Sequence, residues 1–246
     1  MKKQSFRKWI RERKIKKCYI EYRYMHKNII LSYPRSGNHL TRFFIELLSE
    51  TPTFGRPTNP EDTEIYKNIF SEKIPFNISK NFDIKNAFFK FHNPPKSNVR
   101  VDKLILIVRN PREVLLRQSD YTLNFHNGRF CYDAYFQDID FFNNHKGKKL
   151  LLFYEDIITD KKKFIETLYQ FLSIDNIQKK NYVLNNINKL YDLSANGKNR
   201  AWGGVVSHGT NFYYPKIPQS IKREFDLYLD QKLKKYPFLK EKYKIE

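Results

Sequence analysis

Four short apolar runs recur along the chain: "NIILSY" (28–33), "NAFFKFH" (86–92), "KLILIVRN" (103–110) and "KKLLLFYED" (148–156). Runs so little interrupted by polar residues suit strands buried on both faces of a parallel sheet, because a solvated face would impose alternation. Apolar residues at three- and four-residue spacing follow three of them, over 38–48, 111–121 and 161–172, and predict helices. Strands alternating with helices predict an α/β fold, a single domain with a central parallel sheet flanked by helices. Ligands of such folds bind beyond the carboxyl ends of the strands. The chemistry is therefore expected at "YPRSGN", "FHNPPK", "RNPRE" and "YEDI".

At the first of these ends Pro34 stops the strand, Gly37 permits a tight turn and Asn38 opens a helix. Backbone N–H groups from Ser36 to His39 then face the space above the strand at the positive end of the helix dipole, where an anion is favoured. Arg35 adds a fixed charge and Ser36 a hydroxyl donor. Taken alone, the segment is equally readable as an ordinary strand-to-helix turn. It is not a Walker A loop, since "GxxxxGK[ST]" is absent.

His92, just past the second run, is of a residue type that titrates near neutrality and suits a general base, although a lone loop histidine is more often only hydrogen-bonded. In "RNPREVLLR" the third strand ends at Arg109, with Asn110 as helix N-cap, Pro111 at the first helical position and Glu113 completing a capping box. Arg117 follows two helical turns later, so that both arginines could face one anion. Tyr154, Glu155 and Asp156 at the last strand end are of types that could serve as acid/base groups, but the structural reading, capping a helix or pairing with basic neighbours, is favoured.

The length of 246 residues and a hydrophobic share of 40% suit one domain rather than two. The net charge of +20 should attract phosphate, sulfate and acidic polymers, but part of it is local. Residues 1–27 carry 11 Lys and Arg against 2 Glu, a net of +9, with no apolar stretch long enough for a bilayer or a signal sequence. That segment reads as a basic, helical N-terminal extension, with 28–246 as the domain proper. It is either a solvated helix or a means of peripheral attachment to an anionic membrane face or an acidic partner. Cys18 and Cys131 form neither a metal pattern nor a disulfide framework, which fits a cytoplasmic protein.

Together, "SYPRSGNHLTRFF", "KFHNP", "IVRNPREVLL" and "LLFYEDI" resemble, in order, the motifs of the sulfotransferase superfamily that uses 3′-phosphoadenosine 5′-phosphosulfate (PAPS). The resemblance runs from about residue 29 to 174 and implies a P-loop-like phosphosulfate loop after the first strand. It implies that Arg35 acts on the bridging and sulfuryl oxygens, with Ser36, Gly37, Asn38 and His39 as the cradle. His92 becomes the catalytic base, Arg109 a ligand of the 3′-phosphate, and PAPS the cosubstrate with no metal required.

The chain departs from the family pattern at three places. Arg117 stands where many members have serine, and His39 and Leu40 where they have threonine and tryptophan. The family's C-terminal Arg-Lys-Gly segment has no clean match: "NGKNRAWGGVVSHGTNF", with Lys198, Arg200 and Gly203, reads equally as a loop that closes over the nucleotide and as a structured surface loop. The acceptor is expected between 51 and 79, between 121 and 142 and in that loop. A carbohydrate or glycoconjugate is favoured there, because aromatic residues mix with polar ones. Two other readings are a nucleotide kinase or NTPase, disfavoured by the missing Walker lysine, and a non-catalytic basic nucleic-acid-binding module, supported by the charge of +20 and the N-terminal tail; as a sulfotransferase the chain is expected to have no specific nucleic-acid partner.

Overall fold

A computed structural model describes residues 27–51, 53–54, 86–95, 99–128, 130–196 and 212–245. The basic extension, most of the 51–79 segment, and Lys198, Arg200 and Gly203 lie outside the described residues.

Five parallel strands form one sheet: β1 (Lys27–Ser32), β2 (Thr53–Phe54), β3 (Phe88–Phe91), β4 (Val101–Val108) and β5 (Lys148–Phe153), in the order β2-β3-β1-β4-β5. The register sets Ile29 against both Phe89 of β3 and Leu104 of β4, and carries β4 onto β5 from Lys103↔Lys148 to Val108↔Phe153. The α/β expectation holds, with one strand more than the apolar pattern showed. β2 is two residues long and too short to produce a run. Its Thr53 is secured to the first helix, α1 (Asn38–Ser49), where Glu46 Oε1 accepts from the Thr53 backbone N–H at 2.9 Å and Arg42 Nε donates to Thr53 Oγ1 at 2.8 Å. All three side chains are buried, so their polar atoms need each other.

β1 alternates Ile29 and Leu31 toward one face with Ile30 toward the other, and both faces are covered. On the Ile30 side lie α1 and the later helices α5 (Lys161–Leu172), α6 (Ile177–Asn185) and α7 (Ile187–Asn196). On the Ile29 side lie α2 (Pro111–Ser119), α3 (Tyr132–Asn144), α8 (Gln219–Leu233) and α9 (Pro237–Tyr243). Double coverage is why the strands read as near-continuous apolar runs.

Two boundaries are corrected. The fourth run stops being a strand at Phe153, because Tyr154 opens a short helix, α4 (Tyr154–Thr159). The 121–142 segment, expected to be aperiodic and to line the acceptor, is largely α3, which buries Tyr132, Tyr135, Phe136, Ile139 and Phe142 in the core. Among the described residues of that segment, 121–128 and 130–131 stay loop-like.

α3 also buries an acid. Asp138 is 1% exposed and neither carboxylate oxygen has a hydrogen-bond partner among the described residues. Burial raises its pKa well above the ordinary carboxylate range. The fold therefore keeps a proton that the unfolded chain releases above about pH 4. Stability contributed by that proton is present in acid and is lost as pH rises toward the folded value. Asp138→Asn is expected to be more stable than wild type at neutral pH, because it removes the cost of keeping a carboxyl protonated there. Urea unfolding at pH 7 and pH 4 checks this, and the gap should shrink at the lower pH.

Candidate active site

β1 lies between β3 and β4, so the chain leaves it toward opposite sides of the sheet and a crevice opens at its carboxyl end. The loop that follows, Tyr33 to Gly37, turns through positive φ twice, at Arg35 (70°) and Gly37 (94°). Gly37 has a second reason to be glycine. A Cβ there would stand 2.6 Å from Cδ2 of Tyr154, whose ring closes the floor beneath the turn. α1 then starts at Asn38, and no side chain caps its N-terminus. Ser36 is fully buried and its Oγ has no hydrogen-bond partner among the described residues, as is also true of Thr41 Oγ1 in the first turn of α1. Orphaned hydroxyls beside an uncapped helix N-terminus are donors suited to an anion.

Arg109 follows β4 and runs under this loop. Its guanidinium is buried, lies 4.3 Å from the centroid of the Tyr154 ring and donates through Nη1 to the Arg35 carbonyl at 3.0 Å, while Tyr135 Oη donates to its own carbonyl at 2.8 Å. The strained turn at Arg35 is thereby tied to the neighbouring strand. Desolvation, only partial at the exposed Arg35, lowers the pKa of both Arg35 and Arg109, and repulsion from Arg117 lowers each further. Arg117 thus lies close enough to both guanidiniums to repel them, a repulsion that an anion would relieve.

His92 stands on the other side of the cleft, one residue past β3. Its Nδ1 donates to the Ser32 carbonyl at 2.7 Å, which fixes the tautomer with the lone pair on Nε2. The ring packs edge-on to Phe130 at 6.0 Å. Ser32 has a second function, since its Oγ accepts from Asn38 Nδ2 at 2.9 Å. One strand-end residue therefore positions both the histidine and the first residue of the anion-facing helix.

A family model described as a sulfotransferase domain matches residues 26–237. The chain belongs to the sulfotransferase domain family. No curated protein sequence matches it. Among solved structures, it is similar to mouse sulfotransferase SULT7A1 complexed with PAP, at 17% identity, a TM-score of 0.57, and coverage of 90% of this chain and 89% of that one. It is also similar to retinol dehydratase in a complex with retinol and PAP, at 16% identity, a TM-score of 0.54, and coverage of 87% and 83%. At these identities the likeness bears on the fold, which is the α/β sheet with its loop after the first strand.

Within this sulfotransferase the motif residues Arg35, Ser36, Gly37, Asn38, His92 and Arg109 all gather at the carboxyl ends of β1, β3 and β4. Arg117 joins them from α2. His39 is exposed on the first turn of α1, while Leu40 is buried in the core, so the two residues that depart from the family pattern part company. Among the described residues no three His, Cys, Asp or Glu side chains group as a metal site, and no helix is long and apolar enough to cross a membrane.

Two residues differ from their expected roles and two were missed. Glu113 does not complete a capping box. The Asn110 N–H goes instead to Glu155 Oε1 at 3.0 Å, while Asn110 Oδ1 caps the helix by accepting from the Arg112 N–H at 2.9 Å. Glu155 also accepts from Tyr243 Oη at 2.9 Å, and its pKa is raised by burial against these bonds. Glu155 thus ties the Asn110 backbone to Tyr243 of the C-terminal helix, in keeping with the structural role expected for "YED". Arg109, in turn, is a buried strut as much as a projecting ligand. Lys90 was missed. It is buried near the end of β3, two residues before His92. Tyr154 was assigned only to the scaffold, although its ring touches both Gly37 and Arg109. The Tyr154 contacts leave no mark in local sequence, because Gly37 and Arg109 follow other strands.

Proposed function

We propose that this sulfotransferase moves the sulfuryl group from PAPS to an acceptor hydroxyl, with His92 as the general base. The observation carrying this reading is the Ser32 link, which sets His92 and the anion-facing loop on one residue at the sheet's switch point. In the transfer an acceptor O–S bond forms as the S–O bond to the 5′-phosphate breaks. The electron pair stays on the phosphate oxygen, and the acceptor proton passes to His92 Nε2. Arg35 stabilises the charge growing on the departing phosphate by its guanidinium, since an arginine does not donate a proton at this pH. Ser36, Gly37, Asn38 and His39 supply N–H and hydroxyl donors around that group. Arg109 and Arg117 are assigned to the 3′-phosphate, and Lys198, Arg200 and Gly203 to the outer side of the nucleotide.

A carbohydrate or glycoconjugate is the proposed acceptor. The reading is supported by the half-buried Tyr121 and Phe125 and the exposed His126 in the 121–128 loop, where aromatic and polar residues mix. The basic extension would favour an acidic glycan, an acidic partner or an anionic membrane face, in keeping with a cytoplasmic, peripheral protein. Incubation with 35S-labelled PAPS and separate neutral-glycan, acidic-glycan, phenol and alkylamine acceptors tests this. Label is expected on the glycans; label confined to the phenol or the amine would contradict the acceptor assignment.

A further inference from the structure

Glu113 is 0% exposed, and its carboxylate accepts three consecutive backbone N–H groups from a segment about a hundred residues away. Oε2 takes Phe212 at 2.7 Å and Tyr213 at 2.9 Å, and Oε1 takes Tyr214 at 2.9 Å. Charge-assisted bonds of this kind are the stronger class of hydrogen bond, and three on one buried carboxylate fix the peptide's path. That path sets two tyrosine rings against two arginines of the helix carrying Glu113: Tyr213 lies 5.7 Å from Arg117 Cζ, and Tyr214 lies 4.4 Å from Arg112 Cζ. Tyr121 reinforces the first contact, donating through Oη to the Tyr213 carbonyl at 3.3 Å with ring centroids 6.0 Å apart.

Arg117 has reason to need such support. It extends from a helix toward two like charges, Arg35 and Arg109, which would turn a flexible side chain away. A ring face within cation–π range restrains it. We propose that Glu113 is a positioning residue for nucleotide binding: by gripping the 212–214 backbone it seats Tyr213 against Arg117 and keeps that guanidinium in the anion cluster. The proposal rests on the reading of that cluster as the nucleotide-phosphate site.

The test compares wild type with E113Q, E113D, Y213L, R117A and the E113Q/R117A double variant. Each is titrated with adenosine 3′,5′-bisphosphate and assayed for KM and kcat with PAPS. E113Q and Y213L are expected to weaken bisphosphate binding by about tenfold, the scale of one hydrogen bond to a charged group. KM for PAPS should rise with kcat held, and E113D should recover part of the loss. The double variant should bind no worse than R117A alone, because both changes remove one interaction. Hydrogen exchange should quicken at the 212–214 amides of E113Q while α2 stays protected. Should E113Q not fold, Y213L decides, since it leaves the Glu113 bonds in place. Wild-type affinity in Y213L, or additive losses in the double variant, would overturn the proposal. A wild-type chain that ignores the bisphosphate would overturn the functional reading itself, and this one with it.

Discussion

Replacing His92 by alanine is expected to lower the rate of sulfuryl transfer by about 10²- to 10⁴-fold, the range associated with one general acid–base group. Affinity for adenosine 3′,5′-bisphosphate should be largely retained. The two effects separate because the imidazole is anchored past the end of β3, by the Ser32 carbonyl and the Phe130 ring, whereas Arg109, assigned to phosphate, follows β4. Removing it leaves the Asn38–Ser32 bond and the buried Ser36 hydroxyl in place. The split is read by single-turnover transfer beside calorimetric binding. Parallel losses in both would mean that His92 supports the nucleotide site instead of moving the proton. Full retention of transfer would assign the base elsewhere.

The second large effect is expected at Arg109. Arg109→Ala should weaken bisphosphate binding by about 1.5–3 kcal/mol, the scale of a hydrogen bond to a charged group and roughly ten- to a hundredfold. The loss should exceed that of Arg117→Ala. The ranking follows from burial and partners. Arg109 is 2% exposed, stacked on Tyr154, and holds the Arg35 carbonyl, whereas Arg117 is half-buried and rests on a single ring at longer range. Deleting Arg109 also releases the backbone at Arg35, whose φ of 70° is unfavourable for a residue with a Cβ. Arg109→Lys separates the two contributions. Lysine keeps a charge for the anion but lacks the planar fork that stacks on the ring and reaches the carbonyl. Equal losses for Arg109→Ala and Arg117→Ala in titration would invert the assignment of the principal ligand.

The strands that place this chemistry were visible because they are covered on both sides. Ile29 to Leu31 and Leu104 to Val108 leave no polar face to break the run. The loop after β1 was equally visible, since proline, glycine and a helix start within five residues mark a turn wherever they occur. What stayed hidden depends on distance along the chain. β2 exists because Thr53 finds Arg42 and Glu46 across a gap, not because of its own two residues. α3 is so rich in tyrosine and phenylalanine that its apolar stripe blurs, and only packing against β1 and β4 defines its buried face.

Glu113 is the clearest instance. At the third position after Asn110 it has the spacing of a capping box, and local sequence offers no reason to look further. Yet Glu155 occupies the place that reading would give it, and the Glu113 carboxylate serves residues 212–214 instead. Exchange of partners between two acids, one on each of two adjacent strand-to-helix turns, is a three-dimensional fact.

The central claim, that the neighbouring arginines and the loop after β1 form a site for the PAPS nucleotide, is tested most directly by calorimetric titration. Adenosine 3′,5′-bisphosphate, ATP and a random oligonucleotide are each titrated into the full chain at the same salt concentration, since charge alone draws all three to a protein of +20. A one-to-one complex with the bisphosphate, tighter than with either comparator and persisting as salt is raised, is the predicted result. Binding of ATP or the oligonucleotide at least as tight as that of the bisphosphate would contradict it.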